Sequence, residues 1–167
     1  MNKLGVDIGG VIIDRLNDNE DTSLFGDNFL EATPVPDAFD SLAELNHSEQ
    51  FEGRLWLVSK CGQRIQERTR LWLEHNDFYD QTGISRENVH FTPTREGKVP
   101  IARSLQLTHF VDDRLEILRY VSECVENLYL FNPEHSEVQA HQIPGRQIQQ
   151  FGSWAVLKAE LLVPAGL

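Results

Sequence analysis

The chain has little sulfur, with 2 cysteines and 1 methionine in 167 residues. Cys61 and Cys124 form no CxxC pair and are too few for a disulfide framework, so a reduced, cytoplasmic setting is the expectation. Basic residues are also scarce: 15 Lys plus Arg stand against 26 Asp plus Glu, a net charge of -11. That balance argues against an extended nucleic-acid surface, which draws on clustered Lys and Arg. No apolar run approaches the roughly 20 residues that cross a bilayer, so no membrane partner is expected. Met1-Asn2-Lys3-Leu4 leads straight into a short strand with no signal-peptide core. The six histidines show neither HxH nor HExxH spacing, so no zinc site is expected. GxGxxG and GxxxxGK[ST] are both missing, which removes the dinucleotide-binding and P-loop readings. There is no internal repeat and no low-complexity tract.

What is present is ordinary globular composition, 40% apolar and 25% charged, at a length expected for one domain. Short apolar runs alternate with helical spacing. Leu4-Gly5-Val6 reads as a first strand and Arg54–Val58 as a second. Val89–Thr92, Phe110-Val111 and Asn127–Phe131 follow as further strands. Between them, Phe39, Leu42 and Ala43 recur at helical spacing from near Asp37. Ile65, Thr69, Trp72 and Leu73 share one face of a helix over 62–75, with Arg64, Glu67 and Arg68 turned outward. Pro100 suits the first turn of a helix carrying Ile101 and Leu105. Leu115 and Leu118 mark another, and Ser153 reads as the N-cap of a closing helix with Trp154, Leu157 and Leu161. Trp56 and Trp72 are expected in the core, and Cys61 as a buried structural thiol. Residues 14–34, acidic through Asp14, Asp18, Glu20, Asp21 and Asp27, read as a loop or flap, and 132–150 as a second loop. The pattern predicts an α/β three-layer sandwich, Rossmann-like, with a central parallel sheet covered on both faces.

In such a sheet the working residues collect beyond the carboxyl ends of the strands. Asp7, Ser59 and Asp112 each follow an apolar run, and Lys98 opens a helix. Their order is nucleophile candidate, hydroxyl, lysine, acidic pair (Asp112-Asp113). A two-component receiver domain uses the same residue types, but with the acidic pair first and the lysine last. The stretches Asp7-Ile8-Gly9-Gly10-Val11-Ile12-Ile13, Leu55-Trp56-Leu57-Val58-Ser59-Lys60, Lys98 and His109-Phe110-Val111-Asp112-Asp113 together resemble the haloacid dehalogenase (HAD) superfamily, over about residues 3 to 162.

That resemblance implies a Mg²⁺-dependent phosphomonoesterase acting on a phosphorylated substrate through an aspartyl-phosphate on Asp7. It implies Asp7, the Gly9 backbone carbonyl and Asp112 as metal ligands, with Asp113 orienting them. It implies that Ser59 holds a phosphate oxygen and that Lys98 offsets the transferring charge; Lys60 and Arg95 are nearby substitutes, with Lys60 read as a rim charge. The spacing leaves no room for a large cap domain. The chain is therefore expected to be a single domain over 1–167 with an open site, where a protein partner could close the cleft. The sequence departs from the family at Gly9, where its phosphatases carry a second aspartate. That residue protonates the leaving oxygen, an effect worth roughly 10²–10⁴-fold. A weak or selective phosphatase is the expectation, with a retired enzyme serving as a binding or regulatory module as the alternative. The glycine is expected either to adopt φ > 0 or to make room for a bulky substrate or a neighbouring side chain.

Overall fold

The computed structural model describes residues 1–15 and 23–164. Asp18, Glu20 and Asp21 of the acidic segment lie outside them.

Six parallel strands form one sheet in the order β3-β2-β1-β4-β5-β6. They are β1 (Leu4–Val6), β2 (Leu55–Lys60), β3 (Val89–Thr92), β4 (His109–Asp112), β5 (Asn127–Phe131) and β6 (Gln150–Phe151). Strand side chains alternate between faces, and the sequence loads both faces with apolar residues. Leu4, Val6, Leu55, Leu57, Val111 and Phe131 point into one core. Val58, Phe110, Leu128 and Leu130 point into the other.

The first face is covered by α1 (Ala38–His47), α2 (Gln63–His75), α3 (Phe78–Thr82) and α7 (Trp154–Leu161), through Leu42, Trp72, Phe78 and Trp154. The second is covered by α4 (Lys98–Leu105) and α5 (Leu115–Val121), through Val99, Ala102 and Leu118. This is the expected three-layer α/β sandwich. In α2, Thr69, Trp72 and Leu73 are buried, and Pro100 lies in the first turn of α4. The Ser153 hydroxyl accepts from Val156 N–H and caps α7.

Several details differ from the sequence reading. The segment 132–150 is not simply a loop: it holds α6 (His135–Ala140) and the start of β6. A two-residue strand has no periodicity to read, and it exists because Leu130 and Phe131 of β5 pair with it. The short α6 has a structural task, since Glu137 accepts from the N–H groups of Leu115 and Glu116 at 2.8 Å each and caps α5. Trp56 is only partly buried, whereas Trp72 is completely so. Arg68 does not simply face solvent; it donates to the carbonyls of Leu24 and Gly26 and fastens the loop before α1 to α2.

The sheet order changes direction at β1. Helices following β1 and β2 lie on one face, and those following β3 and β4 lie on the other. The connections diverge between β1 and β4 and leave a crevice at their carboxyl ends.

Candidate active site

Beyond Val6 the chain enters a tight turn. Ile12 and Ile13 N–H bond to Ile8 C=O, and Gly10 N–H bonds to Ile13 C=O. Ile8, Val11, Ile12 and Ile13 are buried beneath it, and the Trp154 indole donates to Val11 C=O at 2.7 Å. Residues 12–14 then pair with 33–35, through Val35 N–H to Ile12 C=O and Asp14 N–H to Thr33 C=O. The base of the 14–34 segment is thereby closed, and the turn fixes Asp7 at the mouth of the crevice.

Asp7, Lys98 and Asp112 meet there. Lys98 Nζ lies 2.9 Å from Asp7 Oδ1 and 2.8 Å from Asp112 Oδ2, and its side chain is fully buried. A cation in the first turn of a helix opposes the helix dipole, so only the two carboxylates make this position tenable. Burial alone would lower the Lys98 pKa, but Asp112 and Asp7 together outweigh it and hold the ammonium well above its ordinary value. The two nearby cations are placed differently. Lys60 is exposed at the rim, as expected, and Arg95 is committed to Glu116 at 2.6 Å.

Asp112 and Asp113 diverge in environment. The Asp112 pKa is pushed up to about 6 by burial and by Asp7, against the pull of Lys98. Its Oδ1 also accepts from Arg114 N–H, so the motif carboxylate doubles as a turn acceptor. Asp113 is pushed up to about 9 by burial, Asp7 and Asp112, and its Oδ1 is buried with no hydrogen-bond partner. One oxygen each from Asp7, Asp112 and Asp113 lie within 4.8 Å of one another. Three crowded carboxylates, an orphaned oxygen and an all-oxygen donor set fit a hard divalent cation.

A second three-ligand group, Glu116, Glu137 and His141, is already occupied by the α5 cap and by Arg95.

Ser59 is the penultimate residue of β2, buried, beside Lys60 and Cys61. Asp7, Gly9, Ser59 and Lys98 line one cleft of about 330 Å³, together with Leu24, Phe25 and Cys61. All four strand-end and helix-start candidates are thus brought together, and Asp113 belongs to the same group of carboxylates. Cys61 corrects its expectation, because it is half-buried and faces the cleft, its thiol pKa raised by burial.

Gly9 is not in the left-handed region; the neighbouring Gly10 is, at φ 80. A Cβ on Gly10 would collide with the Asp113 carboxylate. A Cβ on Gly9 would meet only the Arg15 guanidinium, 3.2 Å away at Nη2. Of the two readings of Gly9, the structure supports room for a neighbour, and that neighbour is Arg15. Sequence reasoning missed Arg15 and Arg114, both of which line the cleft. Arg114, directly after the acidic pair, carried a positional signal; Arg15 carried none.

No protein-family model matches the chain, and no curated protein matches its sequence. Solved structures match its shape: the fold is that of the HAD family of hydrolases. It is similar to D,D-heptose 1,7-bisphosphate phosphatase from B. bronchiseptica, complexed with magnesium and phosphate, at a TM-score of 0.64 and 16% identity over 97% of this chain and 98% of that one. The same enzyme from Burkholderia thailandensis gives 0.64 and 13%, covering 98% and 100%. A putative haloacid dehalogenase-like hydrolase from Burkholderia xenovorans LB400 gives 0.63 and 14%, covering 98% and 100%. In the described residues, no helix is long and apolar enough to cross a membrane.

Proposed function

We propose that the cleft is the active site of a Mg²⁺-dependent phosphohydrolase working through Asp7, selective because Gly9 provides no acid. The observation that supports this best is the Lys98 ammonium bridging Asp7 and Asp112 at hydrogen-bond distance, on the floor of a cleft that Ser59 also lines. Asp7, Asp112 and the Gly9 carbonyl would hold magnesium, with Asp113 behind them. Magnesium, when bound, supplies a dication that offsets phosphoryl charge and keeps adjoining carboxylates ionised. A neighbour of the same fold was solved with magnesium and phosphate.

In this reading Ser59 donates to a phosphoryl oxygen and Lys98 neutralises developing charge. An Asp7 oxygen bonds to phosphorus as the bond to the leaving oxygen breaks, and the electron pair stays on that oxygen. Water then attacks phosphorus and returns the Asp7 carboxylate. Without an acid at position 9, leaving groups that depart as stable anions are favoured over alkoxides. The chain is a single domain with no large cap.

The test is beryllofluoride plus Mg²⁺, which should form a stable adduct on Asp7 detectable by ¹⁹F NMR and absent from Asp7→Asn. Aryl and acyl phosphates should turn over faster than alkyl phosphates. The combination of no adduct, equal negligible turnover of both classes, and tight metabolite or protein binding would favour the binding-module reading, to which the missing acid at Gly9 also lends support.

A further inference from the structure

We propose that Leu24, Phe25 and Ile65 form a leaving-group subsite beside the phosphoryl site, so that the substrate is an aryl phosphate whose ring packs on this wall. This rests on the phosphohydrolase reading and extends it to substrate class.

The lining of the cleft is the first observation. Leu24, Phe25, Ile65 and Thr69 share it with Asp7, Ser59 and Lys98. The Thr69 hydroxyl donates to Ile65 C=O at 2.7 Å and is committed to the backbone of α2. Leu24 and Ile65 are half-buried, and Phe25 is 59% exposed. A single exposed apolar side chain needs no explanation, but one that continues an apolar wall into a cleft marks a contact surface.

The second observation is how Phe25 is held. Arg68 donates to the carbonyls on either side of it, Leu24 at 2.9 Å and Gly26 at 2.7 Å, and lies over the Phe29 ring at 4.7 Å. Phe25 N–H bonds to the Ser23 hydroxyl, and Gly26 N–H to the Ser23 carbonyl. The turn is thereby fastened to α2, the helix that carries Ile65 and Thr69. A ring on a backbone held this way loses little further freedom when a ligand packs against it.

The third is the chemistry required of the leaving group. Gly9 supplies no acid, so the leaving oxygen must depart as a stable anion, and a phenolic oxygen does so because its charge spreads into the ring. An adjoining cleft of about 470 Å³, which Arg114 also lines, carries Asp37, Glu134 and Glu137. A second anionic group on the substrate would be repelled there, whereas an uncharged ring is not. The missing acid and the apolar wall thus select the same leaving group. At about 330 Å³ the cleft is at the small end of ligand sites, which suits a phosphoryl group and a single ring.

Titration calorimetry in saturating Mg²⁺ with non-hydrolysable probes tests this: inorganic phosphate, methylphosphonate, benzylphosphonate and a short peptide containing phosphonomethylphenylalanine. Benzylphosphonate should bind at least about tenfold more tightly than methylphosphonate, as expected when most of a ring leaves water. Phe25→Ser should cut that preference to about threefold or less, and Phe25→Tyr, which keeps the ring, should retain it. A free aryl ester and a phosphotyrosyl side chain present the same ring. With the preference in place, a peptide that binds more tightly than benzylphosphonate identifies the side chain as its source, and one that binds more weakly identifies the free ester. If inorganic phosphate binds and benzylphosphonate shows no preference over methylphosphonate, the aryl subsite is overturned and the phosphohydrolase reading stands. Equal losses for every probe in Phe25→Ser, or a preference that survives it, would likewise overturn the subsite. If inorganic phosphate does not bind the wild type in Mg²⁺, both readings fall together.

Discussion

The floor and the rim of the cleft use the same kind of charge in opposite ways. On the floor, Lys98 is fully buried and held by two carboxylates at 2.8 and 2.9 Å. At the rim, Arg15 meets its carboxylate at 3.5 Å with 39% of its side chain exposed, and Arg114 is half-buried. A buried charge must be matched in place, because removing one partner strands the other out of water. A rim charge is screened and contributes little to folding. The contrast separates charges that the fold must match in place from charges that water can screen.

The largest expected effect breaks the floor. Lys98→Met leaves Asp7 and Asp112 uncompensated and should destabilise the fold by about 3–5 kcal/mol. At this length that is a fall in Tm of about 6–20 °C, measured by thermal unfolding. A loss no greater than that of Arg114→Gln would erase the distinction between floor and rim.

Metal binding comes next. Asp112 and Asp113 are raised to about 6 and about 9, so the metal-free folded chain binds protons more tightly than the unfolded one. Stability from these groups is therefore present at low pH and lost as pH rises towards 9. His109, held down to about 4 by burial, acts in the opposite sense, but only below about pH 6.5. Between pH 6.5 and 9 the metal-free Tm should fall. Magnesium requires ionised ligands, so the stabilisation it gives should grow over the same interval, reaching about 2.7 kcal/mol at a hundredfold excess over Kd. EDTA should reverse it and Asp112→Asn should abolish most of it. A magnesium shift independent of pH would remove the carboxylates from the metal site.

Gly9 sharpens the comparison, because there the rim meets the chemistry. Gly10→Ala should cost at least about 1 kcal/mol from its left-handed backbone, with more from Asp113. Gly9→Asp should fold normally, since only the tip of Arg15 must yield. Arg15 would hold the introduced carboxyl ionised and blunt it as an acid. The full gain on alkyl phosphates, about tenfold at the low end of general-acid catalysis, should therefore need Gly9→Asp together with Arg15→Gln. Unchanged stability with no gain in either variant would rule out a phosphatase lacking only its acid.

The smallest effect is expected at the rim. Arg114→Gln should change unfolding free energy by less than about 1 kcal/mol. A larger loss would make Arg114 a structural residue.

Most of the floor was legible in the chain because it depends on local order. Each of Asp7, Ser59 and Asp112 ends an apolar run, and strand ends in a parallel sheet share one edge. The order of the motifs marks Lys98 as the site lysine and Lys60 as a rim charge; what the chain did not show is that Lys98 is fully buried. The helices α1, α2 and α7 were legible from apolar periodicity and from the Ser153 cap. The strand β6 was not, since two residues become a strand only by pairing with β5. The half-exposure of Cys61 and Trp56 likewise follows from which neighbours pack beside them.

The sequence by itself therefore determined the alternating elements, the two-faced core and the ordered set of reactive residues, because hydrophobic period and strand ends are properties of short segments. Tertiary structure alone decided that Arg15 fills the space beside Gly9, that Gly10 and not Gly9 takes the left-handed turn, and that Arg114 stands between two adjoining clefts. Those facts depend on how the turn after β1, the loop after β4 and the returning segments after β5 and β6 come together, and no local pattern encodes a distance between residues a hundred positions apart.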